Sequence, residues 1–191
     1  MASTAGTMEG KPRYTYADYV RLPEGAPYQL IEGELAMTPS PTSRHQRAVG
    51  KLFRLLADWA ERTGAGEAFV SPFDVVLDDT SAVQPDVLFV CTDRLRIIAD
   101  HCFGPPDLAV EVLSPSNAGL DRSRKQRLYA RFGVPRVWIV DVEERTLECL
   151  TLDRGAYRID GSWTGDEIGV PPGFDGLEIP VSTLWPAQPA T

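Results

Sequence analysis

Hydrophobic residues recur along the chain with two periods, which indicate where helices and strands are expected. The most regular helical period lies in SRHQRAVGKLFRLLADWAERTG, residues 43–64. Its apolar stripe consists of Val49, Leu52, Phe53, Leu56 and Ala60. Apolar side chains three and four positions apart lie on one face of a helix, so an amphipathic helix is predicted. Ser43 is expected to cap its start and Gly64 to end it.

Three strand-like runs follow this helix, and a second helix and a further strand come after them. The runs are AFVSPFDVVLD, VQPDVLFV and DLAVEVLS, at residues 68–78, 83–90 and 107–114. The second helix is expected in DRSRKQRLYARFG and the strand in RVWIVDV, at residues 121–133 and 136–142. The central order is therefore α-β-β-β-α-β.

Further elements are predicted at both ends of this core. Residues 15–24 indicate a short helix, and residues 28–39 indicate a hairpin around Glu32 and Gly33. TLECLTL, residues 146–152, alternates like a half-exposed strand, and shorter strand-like pieces follow it. Helices on either side of a mixed sheet cover strands this apolar, so we expect an α/β fold with an N-terminal hairpin and extra C-terminal strands.

Composition agrees with one ordinary globular domain. The 191 residues are 43% hydrophobic and 24% charged, and a chain of this length forms one sizeable core. We expect a single domain over residues 13–185 between mobile ends at residues 1–12 and 186–191. The three cysteines are scattered without a C-x-x-C motif, and neither a signal pattern nor a membrane-spanning run is present. These features predict a cytoplasmic protein with reduced thiols and no membrane partner.

The net charge of -8 is unevenly distributed. Residues 121–136 contain six basic residues and one acid, and residues 44–62 contain five basic residues and two acids. Residues 141–191 contain ten acids and three arginines. The two basic segments are compatible with a polyanion-binding face and equally with two solvated helix faces.

One acidic residue interrupts an apolar strand. Glu111 lies in LAVEVL, residues 108–113, and a buried carboxylate requires a cation, a metal or several hydrogen-bond donors. Asp86 begins the preceding predicted strand and comes close if the two strands pair, since paired strands lie about 4.8 Å apart. Asp107 lies roughly 13 Å from Glu111 at ~3.3 Å per residue, so it is expected to end a turn. An arginine from the second helix is the alternative partner of Glu111.

Five segments, in order, resemble the PD-(D/E)-x-K nuclease superfamily and, more closely, a bacterial family of restriction-endonuclease-like proteins. They cover most of residues 28–141 and read YQLIEGELAMTPSPTSRHQ, VQPDVLFV, PPDLAVEVLSPS, DRSRKQRLY and FGVPRVWIVD. Each segment is short and common by chance, whereas five in this order are specific. The resemblance implies a restriction-endonuclease-like fold and metal-dependent cleavage of a nucleic-acid phosphodiester. DNA is expected ahead of RNA as the substrate, and the sequence does not distinguish the two.

The resemblance also implies roles for individual residues. Asp86 and Glu111 are expected to hold Mg²⁺, which Mn²⁺ can replace, with help from the backbone carbonyl of Val112. The superfamily usually has a lysine two residues after the glutamate, and Leu113 stands there in this chain. Lys125 in the second helix is expected to replace that lysine, stabilising the attacking water and the developing charge.

Further residues receive weaker functional predictions. A second tier near the metal consists of Glu34, His45, Asp121 and Tyr129. Substrate phosphates are expected at Arg44, Arg122 and Arg124. Each of these residues also has an ordinary structural interpretation, as a helix cap, an exposed strand residue, a packed ring or a solvated charge.

Two other functions are compatible with the sequence. A catalytically inactive relative would act as a nucleic-acid-binding or regulatory module, which Leu113 and the net negative charge favour. A metal-free hydrolase would use Asp86 and Glu111 as an acid–base pair, but only Phe89 and Phe103 lie near Glu111 to bind a sugar. For the nuclease, a duplex with two strands to cut predicts a homodimer, since two-fold symmetry is the commonest arrangement.

Overall fold

The computed structural model describes residues 13–38, 40–113 and 120–185. Its helices are α1 (Tyr16–Tyr19), α2 (Ser43–Thr63) and α3 (Leu120–Phe132), with 3-10 turns at Thr92–Ile97 and Val181–Leu184. Its strands are β1 (Tyr28–Ile31), β2 (Glu34–Met37), β3 (Gly66–Val70), β4 (Val75–Asp78), β5 (Ser81–Val83), β6 (Val87–Cys91), β7 (Cys102–Phe103), β8 (Leu108–Leu113), β9 (Arg136–Asp141), β10 (Thr146–Asp153), β11 (Ala156–Thr164), β12 (Ile168–Gly169) and β13 (Ile179–Pro180). The ends expected to be mobile, residues 1–12 and 186–191, lie outside the described residues.

Two mixed sheets form the body of the protein. The larger has six strands in the order β11-β10-β9-β8-β6-β3, and the smaller has five in the order β2-β1-β5-β4-β7. In the larger sheet only β8 and β9 run parallel, and α3 connects them as a parallel pair requires. The mixed α/β class predicted from the sequence is confirmed.

The predicted α-β-β-β-α-β order describes the larger sheet, where α2, β3, β6, β8, α3 and β9 follow one another. The prediction of one strand over residues 68–78 was wrong. Residues 71–74 separate this segment into β3 and β4, which belong to different sheets. Strands β5 and β7 were not predicted. Both are only two or three residues long, so they show little periodicity of their own.

The N-terminal hairpin is confirmed. Ile31 pairs with Glu34, so the turn between β1 and β2 contains only Glu32 and Gly33. Both turn residues have positive φ, at 51° and 81°. This is the combination that a type I′ turn requires and that glycine adopts without strain.

Helix α2 begins one residue earlier than expected. The hydroxyl of Thr42 accepts a hydrogen bond from the His45 N–H at 3.3 Å, so Thr42 is the cap and the prediction of Ser43 was wrong. Gly64 ends the helix in the left-handed conformation, as predicted. The cap therefore fixes the first turn of α2, which carries His45.

Successive residues of β8 face opposite sides of the larger sheet. Val110 and Val112 belong to the core that α2 covers, whereas Ala109 and Leu113 belong to the core that α3 covers. Glu111 lies between the last two and, by the alternation of a strand, faces α3. Helices on both faces of the sheet are thus confirmed, and the face that receives Glu111 is fixed.

A three-residue connection, residues 84–86, joins the two sheets. It leaves β5 in the smaller sheet and enters β6 in the larger. The Asp86 N–H donates to the Val110 carbonyl at 2.9 Å, and the Asp86 carbonyl accepts from the Ser71 N–H at 3.0 Å. Residues 84–86 are therefore held by hydrogen bonds both to β8 and to the residue that follows β3.

Among the described residues, no helix combines the length and the apolar character needed to cross a lipid bilayer.

Gly66 is expected to tolerate no side chain. A Cβ built on Gly66 would overlap the Val90 carbonyl oxygen and lie 2.9 Å from Cys91 Cα, and these atoms belong to β6, which pairs with β3. Gly66→Ala should lower the free energy of unfolding by about 1–3 kcal/mol or more, since overpacked backbone must shift. Denaturant unfolding measures the change.

Gly50→Ala is the matched control. Gly50 lies in α2 with no atom within 4 Å of an added Cβ, so alanine should raise the free energy of unfolding by up to about 1 kcal/mol. If Gly66→Ala were as stable as wild type, the close approach of β3 to β6 would be wrong.

Candidate active site

The pairing of β6 with β8 brings the two predicted carboxylates to one place. Val87 pairs with Val110, so Asp86, one residue before Val87, lies beside Glu111, one residue after Val110. The Val112 N–H donates to Asp86 Oδ2 at 2.7 Å, which fixes the Asp86 side chain against β8. The expected pairing of these two strands is confirmed.

Glu111 faces a lysine and a tyrosine of α3. Lys125 Nζ donates to Glu111 Oε1 at 3.1 Å and to Oε2 at 2.9 Å, and the Tyr129 hydroxyl donates to Oε1 at 2.6 Å. Lys125 and Tyr129 are four residues apart and therefore share one face of α3. The cation that pairs with Glu111 is therefore Lys125, and the alternative prediction of an arginine from this helix was wrong.

All three of these groups are withdrawn from water. The side chains of Lys125 and Glu111 are 8% and 14% exposed, and Tyr129 is fully buried. Burial raises the pKa of Glu111; the Lys125 ammonium lowers it and the Asp86 charge raises it, with a net increase. Burial and the neighbouring Glu111 raise the pKa of Tyr129 well above its usual value, so its hydroxyl remains a hydrogen-bond donor.

Lys125 also contacts the connection between the sheets. Its ammonium donates to the Gln84 carbonyl at 3.3 Å. The Gln84 N–H donates to Gln29 Oε1 at 2.9 Å, and Gln84 Nε2 donates to Asp74 Oδ1 at 2.8 Å. The sequence analysis did not predict a role for Gln29, Gln84 or Asp74. Gln84 bonds to Gln29, 55 residues away, and to Asp74, 10 residues away, and the sequence contains no signal for these hydrogen bonds.

His45 lies on the other side of Asp86. Its Nε2 is 3.3 Å from Asp86 Oδ1, and its buried Nδ1 has no hydrogen-bond partner among the described residues. Burial lowers the pKa of His45, but the hydrogen bond and charge of Asp86, the Val112 carbonyl and the Glu111 charge raise it, with a net increase. The imidazolium form is therefore favoured beside the two carboxylates.

The raised pKa of His45 predicts a pH-dependent contribution to stability. Because the pKa of His45 in the folded protein lies above the usual 6.5, its protonation stabilises the fold at pH values below 6.5. This stabilisation is lost as the pH rises through the pKa of the folded state. The free energy of unfolding of wild type relative to His45→Gln should therefore fall across this window, as measured by denaturant unfolding at a series of pH values.

The same comparison in an Asp86→Asn background is the control for this effect. The hydrogen bond to Asp86 and the charge of Asp86 are the two largest factors that raise the pKa of His45. Asparagine weakens the first and removes the second, so the pH-dependent difference should shrink. A difference of unchanged size in the Asp86→Asn background would contradict the assignment.

Arg44, Arg124 and Glu34 lie outside this cluster. Arg44 pairs with Glu143 at 3.0 Å, and Arg124 pairs with Glu34 at 2.9 Å and donates to the Ile31 carbonyl at 2.8 Å. The predictions for Asp121 and Arg122 concern side chains outside the described part of the structure. Of the weaker predictions, His45 and Tyr129 are therefore the ones brought to the two carboxylates.

A pocket of about 250 Å³ opens over the cluster. At ~30 Å³ for a water molecule, this volume accommodates about eight waters, enough for a hydrated cation and a phosphate group. The lining residues are Gln29, Thr38, Ser40, Pro41, His45, Gln46, Ser71, Pro72, Gln84, Asp86, Glu111, Val112, Leu113, Lys125, Gln126 and Ile139.

The donor groups fit a partly hydrated Mg²⁺ or Mn²⁺. Within residues 13–38, 40–113 and 120–185, no group of three or more His, Cys, Asp and Glu side chains is arranged to hold a metal. The carboxylates of Asp86 and Glu111 and the Val112 carbonyl are nevertheless the hard oxygen ligands that Mg²⁺ prefers, and Mg²⁺ usually keeps several waters. Lys125 supplies positive charge beside Glu111 in the present structure, and His45 supplies it beside Asp86 when its imidazole is protonated.

Comparison with known families identifies the class of protein to which this mixed α/β chain belongs. The chain belongs to the Uma2 family, whose description reads "Putative restriction endonuclease", since the family model matches residues 16–182. The resemblance inferred from the sequence is thereby confirmed.

A solved structure shares the fold. It is a crystal structure of a "putative nuclease belonging to DUF820" from Anabaena variabilis ATCC 29413, which is 20% identical to this chain with a TM-score of 0.76. The match covers 89% of this chain and 96% of that chain. No curated protein matches the chain.

Proposed function

We propose that the protein is a metal-dependent endonuclease that hydrolyses phosphodiester bonds of a nucleic acid, with DNA expected ahead of RNA. The observation that carries the proposal is the pair of adjacent carboxylates, Asp86 and Glu111, with a buried lysine bonded to one of them. Membership in the Uma2 family supports the same class of reaction.

Asp86, Glu111 and the Val112 carbonyl would hold Mg²⁺, for which Mn²⁺ can substitute. The bound metal would lower the pKa of a water molecule and neutralise charge on the phosphate. An ionised carboxylate has about four acceptor sites, and the described contacts use three on Glu111 and two on Asp86. Both carboxylates therefore retain lone pairs for a cation.

The neighbouring groups hold these carboxylates in place. The Val112 N–H restrains Asp86 and the Tyr129 hydroxyl restrains Glu111. The Lys125 ammonium would stabilise the attacking water and the negative charge that develops on the phosphate, in a pocket where low exposure strengthens electrostatic interactions. Gln84 limits where that ammonium lies through its carbonyl.

A second candidate function is a nucleic-acid-binding module without catalysis. Leu113 at the usual lysine position favours it, as does the donation of Lys125 to both oxygens of Glu111. The metal-free acid–base hydrolase has weaker support. Phe89 is 2% exposed and offers no surface for a sugar, and Phe103, which is 48% exposed, is not among the described residues that line the pocket over the carboxylates.

The test is a cleavage assay with the full chain on duplex DNA, single-stranded DNA and RNA, in Mg²⁺, in Mn²⁺ and in EDTA. Fragments that form only with metal support the nuclease, and paired cuts in both strands of a duplex support a homodimer. Metal binding by calorimetry without cleavage of any substrate would contradict the nuclease and favour the binding module.

A further inference from the structure

Four basic residues form a stripe along the exposed face of α2. Arg44, Arg47, Lys51 and Arg54 are separated by three, four and three positions, which confines them to an arc of about 80° at 3.6 residues per turn. The three arginines are exposed and Lys51 is half-buried. We call these four residues the α2 basic stripe; the opposite side of the helix is buried in the core.

Most of the stripe has no acidic partner within the described part of the chain. Arg44 pairs with Glu143 at 3.0 Å, whereas Arg47, Lys51 and Arg54 form no ion pair with any described residue, taking 4.0 Å as the limit. Helix α2 itself has no acid before Asp58. The protein has a net charge of -8, so this group of positive charges without acidic partners among the described residues is opposite in sign to the chain as a whole.

The stripe begins in the first turn of α2, which also carries two of the residues that line the pocket over the carboxylates. His45 and Gln46 of α2 line that pocket, and Arg44 and Arg47 are their immediate neighbours in sequence. From Arg44 to Arg54 the helix extends about 15 Å at 1.5 Å per residue. A B-form strand rises ~3.4 Å per nucleotide, so this length corresponds to about four nucleotides.

We propose that the α2 basic stripe binds backbone phosphates of a nucleic-acid strand, on one side of the phosphate that enters the pocket. The proposal rests on the proposed function for the identity of the polyanion, but the predicted binding requires no cleavage. A lipid surface fits less well, because the apolar residues of α2 are buried in the core or, like Phe53 and Leu55, partly buried against it, which disfavours insertion into a bilayer.

The experiment compares two triple variants of the full chain by fluorescence anisotropy with a labelled oligonucleotide, in EDTA, over a series of salt concentrations. Arg47→Gln, Lys51→Gln and Arg54→Gln neutralise the stripe. Arg21→Gln, Arg154→Gln and Arg158→Gln are the matched control. They remove the same charge at positions that each lie beside an aspartate.

The stripe variant should bind at least about tenfold more weakly than wild type, with a salt slope reduced by about 2–3, since each lost phosphate contact lowers the slope by about 0.7–0.9. The control should stay within about twofold of wild type. Equal losses in both variants, no binding by wild type, or binding to phosphatidylserine vesicles in place of the oligonucleotide would overturn the proposal.

This outcome is separable from the proposed catalysis. Stripe-dependent binding by a protein that cleaves nothing would support the stripe and contradict the nuclease. Metal-dependent cleavage, together with an oligonucleotide affinity that is the same in wild type and in the stripe variant, would support the nuclease and contradict the role proposed for the stripe.

Discussion

Glu111→Gln is expected to lose more than about a hundredfold in affinity for Mg²⁺ or Mn²⁺ and about three orders of magnitude in cleavage rate. The substitution removes one of the two charged ligands, and a metal's stabilisation of the transition state amounts to several kcal/mol, at about 1.4 kcal/mol for each factor of ten. Calorimetric titration with each metal measures the affinity, and a cleavage assay at saturating metal measures the rate.

Glu67→Gln is the matched control for this variant, because Glu67 is an exposed residue of β3. It should bind metal and cleave as wild type does. Asp86→Asn should reproduce the loss seen in Glu111→Gln, and circular dichroism should show that both variants are folded. Full cleavage activity in Glu111→Gln would end the metal-dependent proposal.

Lys125→Met should reduce the cleavage rate by about 10²–10³-fold, the usual effect of deleting one donor to a developing negative charge. Metal affinity should stay equal or rise, because the variant removes an ammonium that donates to both oxygens of Glu111. Without Lys125 the pKa of Glu111 rises further, since the ammonium lowers it. Both quantities should therefore be measured over a series of pH values that extends to alkaline pH, since a higher pH favours the ionised form of Glu111.

Arg127→Met provides the control for Lys125→Met, since Arg127 is an exposed residue of the same helix. It should leave rate and metal affinity nearly unchanged. If Lys125→Met kept the wild-type rate, the lysine would be only a structural partner of Glu111. A parallel loss of rate and metal affinity would mean that Lys125 positions the carboxylate and does not act on the substrate.

Those parts of the site that depend on local pattern could be predicted from the sequence. The period of α2 and the apolar runs of β6 and β8 determined the element order, and the spacing of paired strands selected Asp86 over Asp107 as the neighbour of Glu111. In the structure Asp107 instead accepts from the Cys91 N–H at 2.8 Å and pairs with Arg94 at 2.6 Å.

Other features depend on contacts between distant segments, which periodicity does not encode. The smaller sheet is built from strands of two to four residues, too short to show a pattern. A lysine is ordinarily exposed, and the burial of Lys125 depends on a glutamate 14 residues away and a carbonyl 41 residues away. Gln29 likewise reaches Gln84 across 55 residues.

The three-residue connection between the sheets is a position where the chain should not tolerate an inserted peptide. Lengthening residues 84–86 would separate the Asp86 carboxylate and the Gln84 carbonyl from their partners on β8 and α3, so a peptide tag placed there should disable the site. The turn between β10 and β11 is the opposite case, since the Arg154 side chain is 95% exposed. That turn is the natural position for a fluorophore or a fused domain, because exposed loop tips accept insertions.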